Sequence, residues 1–483
     1  MLTKQIEKGI FINGEWSNAE DGSTITVTNP ATLEVLSEVS YGGELETRKA
    51  ISAAKDAFSL WSQKTARERA TILYKAYEKM LEKKEELAHI LTSEQGKPLS
   101  EARTEIEAAA SYLLWNAEEG NRIYGEVIPS SRSDKRLLLI PQPIGVIAAI
   151  TPWNFPASMV TRKLAPALAA GCTVILKPAS QTPLTAIAIV KILEEVGLPK
   201  GVLNLVTGHA RKIADVLTND PYVRLITFTG STEVGRELME KSAKQIKKLS
   251  LELGGHAPIV VMDDANIELA VNLTLASKFR NAGQTCICTN RVYVQKSIGD
   301  QFVERLVNKV KEMTVGNGID EQTTMGPLID KNALEKVIEH VKDAESKGAT
   351  IAEGGEEWNG KLGGNFYQPT VLTNVTNDMK VMTEETFGPV LPIQFFENDE
   401  DVIEEANHLQ YGLAAYVMTE NTNRAFKMME ALEYGIIGIN DVFPGTAEAP
   451  FGGMKESGFG KEGGKEGILE FVEMKYVSIG ITQ

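Results

Sequence analysis

The fold is decided by residues 144–180, which read IGVIAAITPWNFPASMVTRKLAPALAAGCTVILKPAS. A short apolar run at Ile144–Ile150 is followed by a helical pattern over Ser158–Ala170, and a second apolar run follows at Thr173–Lys177. Short apolar strands that alternate with amphipathic helices are typical of βαβ units, whose parallel strands are buried on both faces. This stretch therefore predicts a doubly wound, nucleotide-binding type of sheet.

The alternation continues on both sides of this stretch. Residues 66–118 are rich in Ala, Glu, Lys and Leu at helical spacing, which predicts helices. Towards the carboxyl end we predict strands at Val202–Val206 and Arg224–Phe228, with helices at Leu184–Val196, near Ala210–Leu217 and from Thr232. A second block has predicted strands at Pro258–Met262, Arg291–Val294, Val390–Phe395, Leu413–Val417 and Gly435–Asn440, and helices near Ile267–Phe279, Gln301–Met313, Ala333–Lys347 and Asn423–Leu432.

Two strand-like segments, Gly125–Ile140 and Phe471–Ile481, fall outside these blocks. An uncovered strand edge pairs readily with another chain, so these segments could pair with a neighbouring subunit. One hydrophobic core rarely grows beyond ~250–300 residues. The 483 residues therefore predict an α/β protein with two doubly wound domains and a small β arm.

Composition excludes several classes of function. The formal net charge of −15 disfavours binding to phosphate backbones. No stretch reaches the ~18 apolar residues of a membrane span, and Met1–Trp16 lacks the apolar core of a signal peptide. Three cysteines in so long a chain do not make a secretory disulfide framework. We expect a cytoplasmic protein that binds neither nucleic acid nor a membrane.

Two short motifs carry candidate catalytic groups. Cys286 follows Gly283 closely, and the glycine leaves room for a substrate beside a thiolate nucleophile. Glu252 precedes two glycines at a strand end, where a carboxylate can activate water. Taken alone, each residue is more often structural, as a buried cysteine or a solvated glutamate in a turn. Neither motif by itself identifies an enzyme.

Two further motifs directly follow predicted strands, where open α/β sheets place their sites. One contains Asn154, and the other contains Gly230 and Ser231. Asn154 lies between two prolines, so its amide could be a rigid oxyanion donor, or it could only close a turn. Gly230 and Ser231 open a helix whose amides could face a pyrophosphate. Their segment matches neither the P-loop nor the GxGxxG pattern, so it is weak evidence alone.

Two pairs of residues complete the set of candidate cofactor contacts. Lys177, with Ser180 three residues later, could hold ribose or phosphate oxygens. Glu385 could accept ribose hydroxyls while Phe387 lines a nicotinamide pocket. A surface charge and a turn are the alternatives for these pairs.

These motifs, in this order and at these separations, resemble the aldehyde dehydrogenase superfamily. The resemblance covers nearly the whole chain and includes FINGEW at 11–16, EQGKP at 94–98 and PFGG at 450–453. It implies a Rossmann-like cofactor domain at 1–122 and 144–253 and a catalytic domain at 254–455. It also implies a bridging arm at 123–143 and 456–483, which would join the chains of a homodimer or homotetramer.

The resemblance implies a role for each motif residue. Cys286 would attack the aldehyde to give a thiohemiacetal and then a thioester. Asn154 and the Cys286 N–H would hold the oxyanion, and Glu252 would activate the hydrolytic water. The expected contacts of NAD(P) are Trp153, Lys177, Ser180, Gly230, Ser231, Glu385 and Phe387.

Arg162 and Arg280 indicate an anionic substrate, since an arginine is costly to bury without an anionic partner; an ion pair within the protein is the alternative. Their contexts, TRK at 161–163 and SKFRN at 277–281, resemble the succinate-semialdehyde dehydrogenase subgroup, whose arginines hold the far carboxylate. Thr446 stands where that subgroup has a carboxylate-binding serine, and its methyl group narrows the pocket. We expect oxidation of succinate semialdehyde. The alternatives are a glutarate semialdehyde, lactaldehyde or sulfolactaldehyde dehydrogenase, and a non-catalytic redox-binding protein.

Two further predictions concern Ser180 and Cys288. NAD-preferring relatives often carry a carboxylate at the position of Ser180, where it would repel a 2′-phosphate. We therefore expect NADP, with NAD as the alternative, and no metal. Cys288 lies two residues after Cys286, on the same side of an extended segment. The resemblance to Cys-X-Cys relatives favours a strained disulfide switch, whereas a buried free cysteine is the alternative.

Overall fold

A computed structural model describes residues 9–481. The outer domain limits predicted above, at residues 1 and 483, lie outside the described residues. Two sheets carry the parallel strands, as the sequence predicts. The first sheet contains β1 (Ile10–Ile12), β2 (Glu15–Ser17), β7 (Val146–Ile150), β8 (Thr173–Lys177), β9 (Leu203–Val206), β10 (Val223–Thr229), β11 (Lys248–Glu252) and β21 (Gly458–Phe459). The second contains β12 (Ala257–Val261), β13 (Thr289–Gln295), β14 (Thr350–Glu353), β15 (Thr370–Thr373), β16 (Val390–Phe396), β18 (Ala414–Met418) and β19 (Ile436–Ile439).

The first sheet has a point at which its strand order reverses. Its parallel strands run β9-β8-β7-β10-β11, so the chain builds outward from β7 on one side and returns to β10 on the other. Ligands of open α/β sheets bind in the crevice at such a point, outside the carboxyl ends of the strands. Asn154 and Gly230 come shortly after β7 and β10, so the topology brings them to one crevice.

Helices cover the faces of both sheets. They are α1 (Glu44–Ser62), α2 (Ala66–Glu82), α3 (Lys84–Gln95), α4 (Leu99–Glu119), α5 (Ser158–Ala170), α6 (Pro183–Glu195), α7 (Ala210–Asn219), α8 (Thr232–Ser242), α9 (Ile267–Phe279), α10 (Gly299–Lys311), α11 (Lys331–Ser346), α12 (Lys380–Thr383), α13 (Asp399–Asn407), α14 (Thr422–Ala431) and α15 (Gly464–Leu469). Helix α5 is buried at every position and packs against α2, α4 and β7. Its charged residues, Arg162 and Lys163, therefore require partners inside the protein or in a ligand.

The two strand-like segments outside the blocks pair with each other. A third sheet has the order β22-β6-β5, with β5 at Glu126–Ile128, β6 at Lys135–Pro143 and β22 at Val472–Gly480. β22 and β6 pair along their whole length. The other edge of β22 has no partner among the described residues, and Met474, Tyr476 and Ile479 are exposed there.

The sequence patterns missed several short strands. These include the hairpin β3 (Thr24–Thr28) and β4 (Val35–Ser40) and the pair β17 (Tyr411–Gly412) and β20 (Met454–Lys455). β21 is another: Phe459 and Gly458 pair with Leu251 and Glu252. The two-residue strands β17, β20 and β21 carry too little alternation to be predicted. No helix within residues 9–481 is long and apolar enough to span a membrane.

Candidate active site

Two cavities meet at Cys286, which lines both of them. The first, of about 340 Å³, is also lined by Arg162 and Arg280 together with Tyr112, Phe155, Met159 and Phe451. The second, of about 360 Å³, lies at the crevice of the first sheet and is lined by Trp153, Asn154, Gly230, Ser231, Leu253, Gly254, Lys336, Glu385 and Phe387, among others. The half-buried thiol of Cys286 is therefore accessible from two separate spaces.

The segment before Cys286 is held by Asn281 and Gln284. The chain leaves α9 through a turn at Arg280–Gly283, in which Asn281 has a left-handed φ of 51°. Asn281 tolerates this conformation better than most residues, and its side chain accepts a hydrogen bond from Gln95. The Gln284 side chain donates to the Asn281 and Pro327 carbonyls and accepts from the Ile329 N–H. The loop that carries Cys286 is thus fixed on both sides.

The glycines after Glu252 allow two elements to approach the chain closely. A Cβ atom on Gly255 would lie 2.7 Å from the carbonyl oxygen of Cys286, and one on Gly254 would lie 2.8 Å from Oε2 of Glu385. Real Cβ atoms do not approach that closely, so larger residues would push the Cys286 loop or Glu385 away. The two glycines therefore serve the packing of the site.

Asn154 is held by contacts to its backbone and to its side chain. Its carbonyl oxygen accepts hydrogen bonds from the Lys97 ammonium at 2.8 Å and the Asn281 amide at 3.0 Å. Its side-chain Nδ2 donates to the Gln284 carbonyl at 3.0 Å, two residues before Cys286. One Nδ2 hydrogen remains, as an amide has two. The amide is thus oriented beside the Cys286 loop with a donor to spare.

Burial raises the pKa of both Cys286 and Glu252. It raises the pKa of the Cys286 thiol to about 12, against the opposing effect of Arg162. Burial, and then Glu462, raise the pKa of Glu252 well above its usual range. Neither Glu252 oxygen has a hydrogen-bond partner among the described residues. An unpartnered buried carboxyl is costly, which fits a group that acts on a bound water or thiol.

The two arginines of the first cavity have different partners. Arg162 forms a buried ion pair with Glu462 at 3.2 Å, and the neighbouring Lys163 binds the same carboxylate. Arg280 has no ion pair in the described part of the chain; its guanidinium lies 5.5 Å from the ring centres of Phe155 and Phe443. Both interpretations of the arginines therefore apply, with Arg162 paired internally and Arg280 available to an anion.

The second cavity offers the groups that a nicotinamide dinucleotide requires. The Trp153 and Phe387 rings meet edge to face at 5.6 Å, and the Glu385 carboxylate accepts the Gly255 N–H at 3.1 Å. Ser231 caps the amino terminus of α8, where peptide dipoles favour phosphate. Lys177 at the end of β8 is buried and has no acidic partner among the described residues, and burial lowers the pKa of its ammonium to about 8. An unpaired buried ammonium fits a phosphate or ribose oxygen.

Several predicted site residues do not line either cavity. Lys177, Ser180 and Glu252 are not among the residues that line either cavity, and Lys177 and Glu252 are buried. The Thr446 side chain is exposed, although its neighbours Phe443 and Gly445 line the first cavity. Cys288 is fully buried, and its Sγ contacts the Lys278 carbonyl at 3.6 Å. Both Cys286 and Cys288 are free, and the redox switch stays a prediction.

Sequence reasoning missed the buried ion pair beside Asn154. Lys97 and Glu105 form it at 2.5 Å with side chains almost inaccessible to solvent, and the Lys97 ammonium lies 3.8 Å from the centre of the Phe155 ring. Glu105 in turn accepts the Ala157 and Ser158 N–H groups at the start of α5. The EQGKP motif contains Lys97, but its pattern gives no sign of the partner.

Comparison with known proteins gives consistent results. Residues 16–477 match the model of the aldehyde dehydrogenase family. The chain is 54% identical to a succinate-semialdehyde dehydrogenase [NADP(+)] of Escherichia coli, over 98% of this chain and 97% of that protein. It is 52% identical to a glutarate-semialdehyde dehydrogenase of Pseudomonas putida, with the same coverage of both chains.

A solved structure agrees with these sequence matches. A crystal structure described as an E. coli NADP-dependent enzyme has a TM-score of 0.97 and 53% identity, covering 99% of this chain and 98% of that chain. One conclusion accounts for the strand order, the two cavities and the position of Cys286 at their junction. The chain belongs to the aldehyde dehydrogenase family.

Proposed function

We propose that this protein oxidises a short aldehyde with an anionic far end, succinate semialdehyde being the first candidate, with NADP as the electron acceptor. The observation that carries the proposal is the position of Cys286, between a cavity that contains Arg280 and a cavity suited to a dinucleotide. Cys286, Glu252 and Asn154 are all present, which argues against the non-catalytic alternative.

In the proposed mechanism Cys286 attacks the aldehyde carbon and forms a thiohemiacetal. Burial raises the pKa of the Cys286 thiol to about 12, so its proton must leave to a base. Glu252 takes this proton in its ionised form, which is a strong base because burial raises the pKa of this carboxyl. The free Nδ2 hydrogen of Asn154 and the Cys286 N–H stabilise the oxyanion. A nicotinamide dinucleotide, when bound, would supply the hydride acceptor for oxidation of the thiohemiacetal to the thioester. Glu252 then activates water, and hydrolysis releases the carboxylate and the free thiol.

The residues beside the second cavity would hold the dinucleotide. Glu385 would bind ribose hydroxyls, Lys177 would bind ribose or phosphate oxygens, and the amino terminus of α8 would face the pyrophosphate. Trp153 and Phe387 would enclose the nicotinamide end. Phe387 has a left-handed φ of 55°, an unfavourable conformation for a bulky residue, which is consistent with a ring held in place for a ligand.

Similarity to the E. coli relative favours succinate semialdehyde, and similarity to the P. putida relative favours glutarate semialdehyde as the second candidate. A kinetic panel tests both: succinate, glutarate, lactaldehyde-type and sulfolactaldehyde-type substrates, each with NADP and NAD. We expect the highest kcat/KM for succinate semialdehyde with NADP. A neutral aldehyde of equal length that is turned over equally well would contradict the proposed anionic substrate.

The charge preference should depend on Arg280. Arg280→Ala should lower kcat/KM for an anionic aldehyde. The loss should correspond to ~2–5 kcal/mol of transition-state stabilisation, the scale for removing one partner of a desolvated charge pair. A neutral aldehyde of similar length should be affected much less. Arg162 should also contribute, but its replacement additionally disturbs the pair with Glu462, so Arg280 gives the clearer result. Equal losses on both substrates would make Arg280 a structural residue.

The cofactor preference should depend on Ser180, which lies three residues after Lys177. A carboxylate in Ser180→Glu would repel a 2′-phosphate, so the NADP:NAD ratio of kcat/KM should fall at least about tenfold, as like charges in contact cost several kcal/mol. Ser180→Gln is the uncharged control and should change the ratio less. A wild-type protein with much higher efficiency on NAD would overturn the NADP assignment.

We propose that the protein is a cytoplasmic homo-oligomer, a dimer or tetramer. The free edge of β22 and its exposed Met474, Tyr476 and Ile479 support a contact with a second copy. The free state of all three cysteines supports a reducing compartment.

We also propose the domain limits given above, with β21 counted in the cofactor domain because it pairs with β11.

A further inference from the structure

Glu101 lies at the substrate cavity and has no part in the mechanism above. It lines the first cavity together with Arg280. It also lines a third cavity, of about 340 Å³, which shares Glu101, Arg280 and Phe443 with the first. These three residues therefore form the partition between the two spaces. The carboxylate of Glu101 accepts the Asn281 N–H at 2.8 Å, directly after Arg280 in sequence.

Glu101 has no ion pair in the part of the chain that the structure describes. The neighbouring cation Lys97 is already paired with Glu105. In the third cavity, Lys309 binds Glu268 and Glu312 is exposed. In the first cavity, Arg162 is paired with Glu462. Glu101 and Arg280 are thus the two groups of opposite charge at this partition without a strong partner of their own.

We propose that Glu101 sets the affinity of the site for anionic ligands by opposing the attraction of Arg280. This inference rests on the proposed function, because it presumes that the substrate's far carboxylate binds at Arg280. Repulsion from Glu101 weakens the binding of the substrate and of the dicarboxylate product alike. A site with Arg280 alone would retain the product, so Glu101 acts as a specificity and release residue.

The effect should depend on pH. Burial raises the pKa of Glu101 to about 7, with Lys97 and Arg280 acting in the opposite direction. Below pH 7 the carboxyl is neutral and does not repel the ligand; above pH 7 it is charged and does. The KM for an anionic aldehyde should therefore rise as pH increases through 7, whereas the KM for a neutral aldehyde should not follow this pattern.

Glu101→Gln tests the proposal because glutamine keeps an acceptor for the Asn281 N–H and loses only the charge. At pH 8 we expect the KM for succinate semialdehyde and the inhibition constant of succinate to fall together, by about threefold to tenfold for one like charge in a partly screened site. The dissociation constant of succinate, measured by calorimetry without turnover, should fall by the same factor. The rise of KM through pH 7 should disappear.

Two controls separate charge from structure. Glu312→Gln removes a carboxylate from the third cavity only and should leave the ratio of anionic to neutral KM unchanged. Glu101→Ala removes the Asn281 acceptor as well and should also lower kcat on a neutral aldehyde. If Glu101→Gln leaves succinate binding unchanged while Arg280→Ala still weakens it, the Glu101 inference is wrong and the proposed function stands. If Arg280→Ala leaves succinate binding unchanged too, the anionic-substrate proposal itself is wrong.

Discussion

Cys286→Ala should abolish aldehyde oxidation, with kcat reduced by at least about 10⁴-fold, because no other group can form the covalent intermediate. The dinucleotide should still bind, since the contacts proposed for it at Trp153, Glu385 and Phe387 are unaffected. Turnover is measured as the appearance of reduced cofactor, and binding is measured by calorimetry with the same preparation.

Cys288→Ala is the matched control for this result. It removes a thiol two residues away that is fully buried and lines neither cavity, and activity should remain near the wild-type level. Wild-type protein treated with a thiol-alkylating reagent should lose activity, and Cys288→Ala should lose it in the same way. Substantial dehydrogenase turnover in Cys286→Ala would remove Cys286 from the role of nucleophile.

Asn154→Ala should lower kcat by ~10²–10³-fold, the loss expected for one oxyanion donor. KM should change much less, because the interaction strengthens only as charge develops on the oxygen. The fold should survive, since the Gln284 carbonyl that loses its Asn154 partner still accepts the Asn281 amide at 3.3 Å. Thermal unfolding of the variant checks that point directly.

Asn121→Ala is a suitable control for Asn154→Ala. Its amide donates to the Ala117 carbonyl within the same helical region, and Asn121 lines neither cavity, so kcat should not change. A loss below threefold in Asn154→Ala would mean that the oxyanion is stabilised by other donors. A large increase in KM with unchanged kcat would assign Asn154 to substrate binding instead.

The arrangement of the site could be predicted in part because each motif ends a strand. β7 and β10 are recognisable from their apolar runs, and parallel strands present their carboxyl ends to one edge of a sheet. This reasoning places Asn154 and Gly230 in one crevice without any structure. It could not place Thr446, whose exposed side chain lies outside the cavity that its neighbours line, because loop conformation is not set by local pattern.

By itself, the sequence determined the α/β class, the positions of the long elements, the family and the nature of the motif residues, because periodicity and residue type are local properties. Only the tertiary structure decided which charges meet. Arg162 is paired with Glu462, 300 positions later in the chain, whereas Arg280 lies between two aromatic rings with Glu101 nearby. A side chain's partner depends on which distant segments the sheets and helices bring together, and the cost of burying a charge makes those pairings specific.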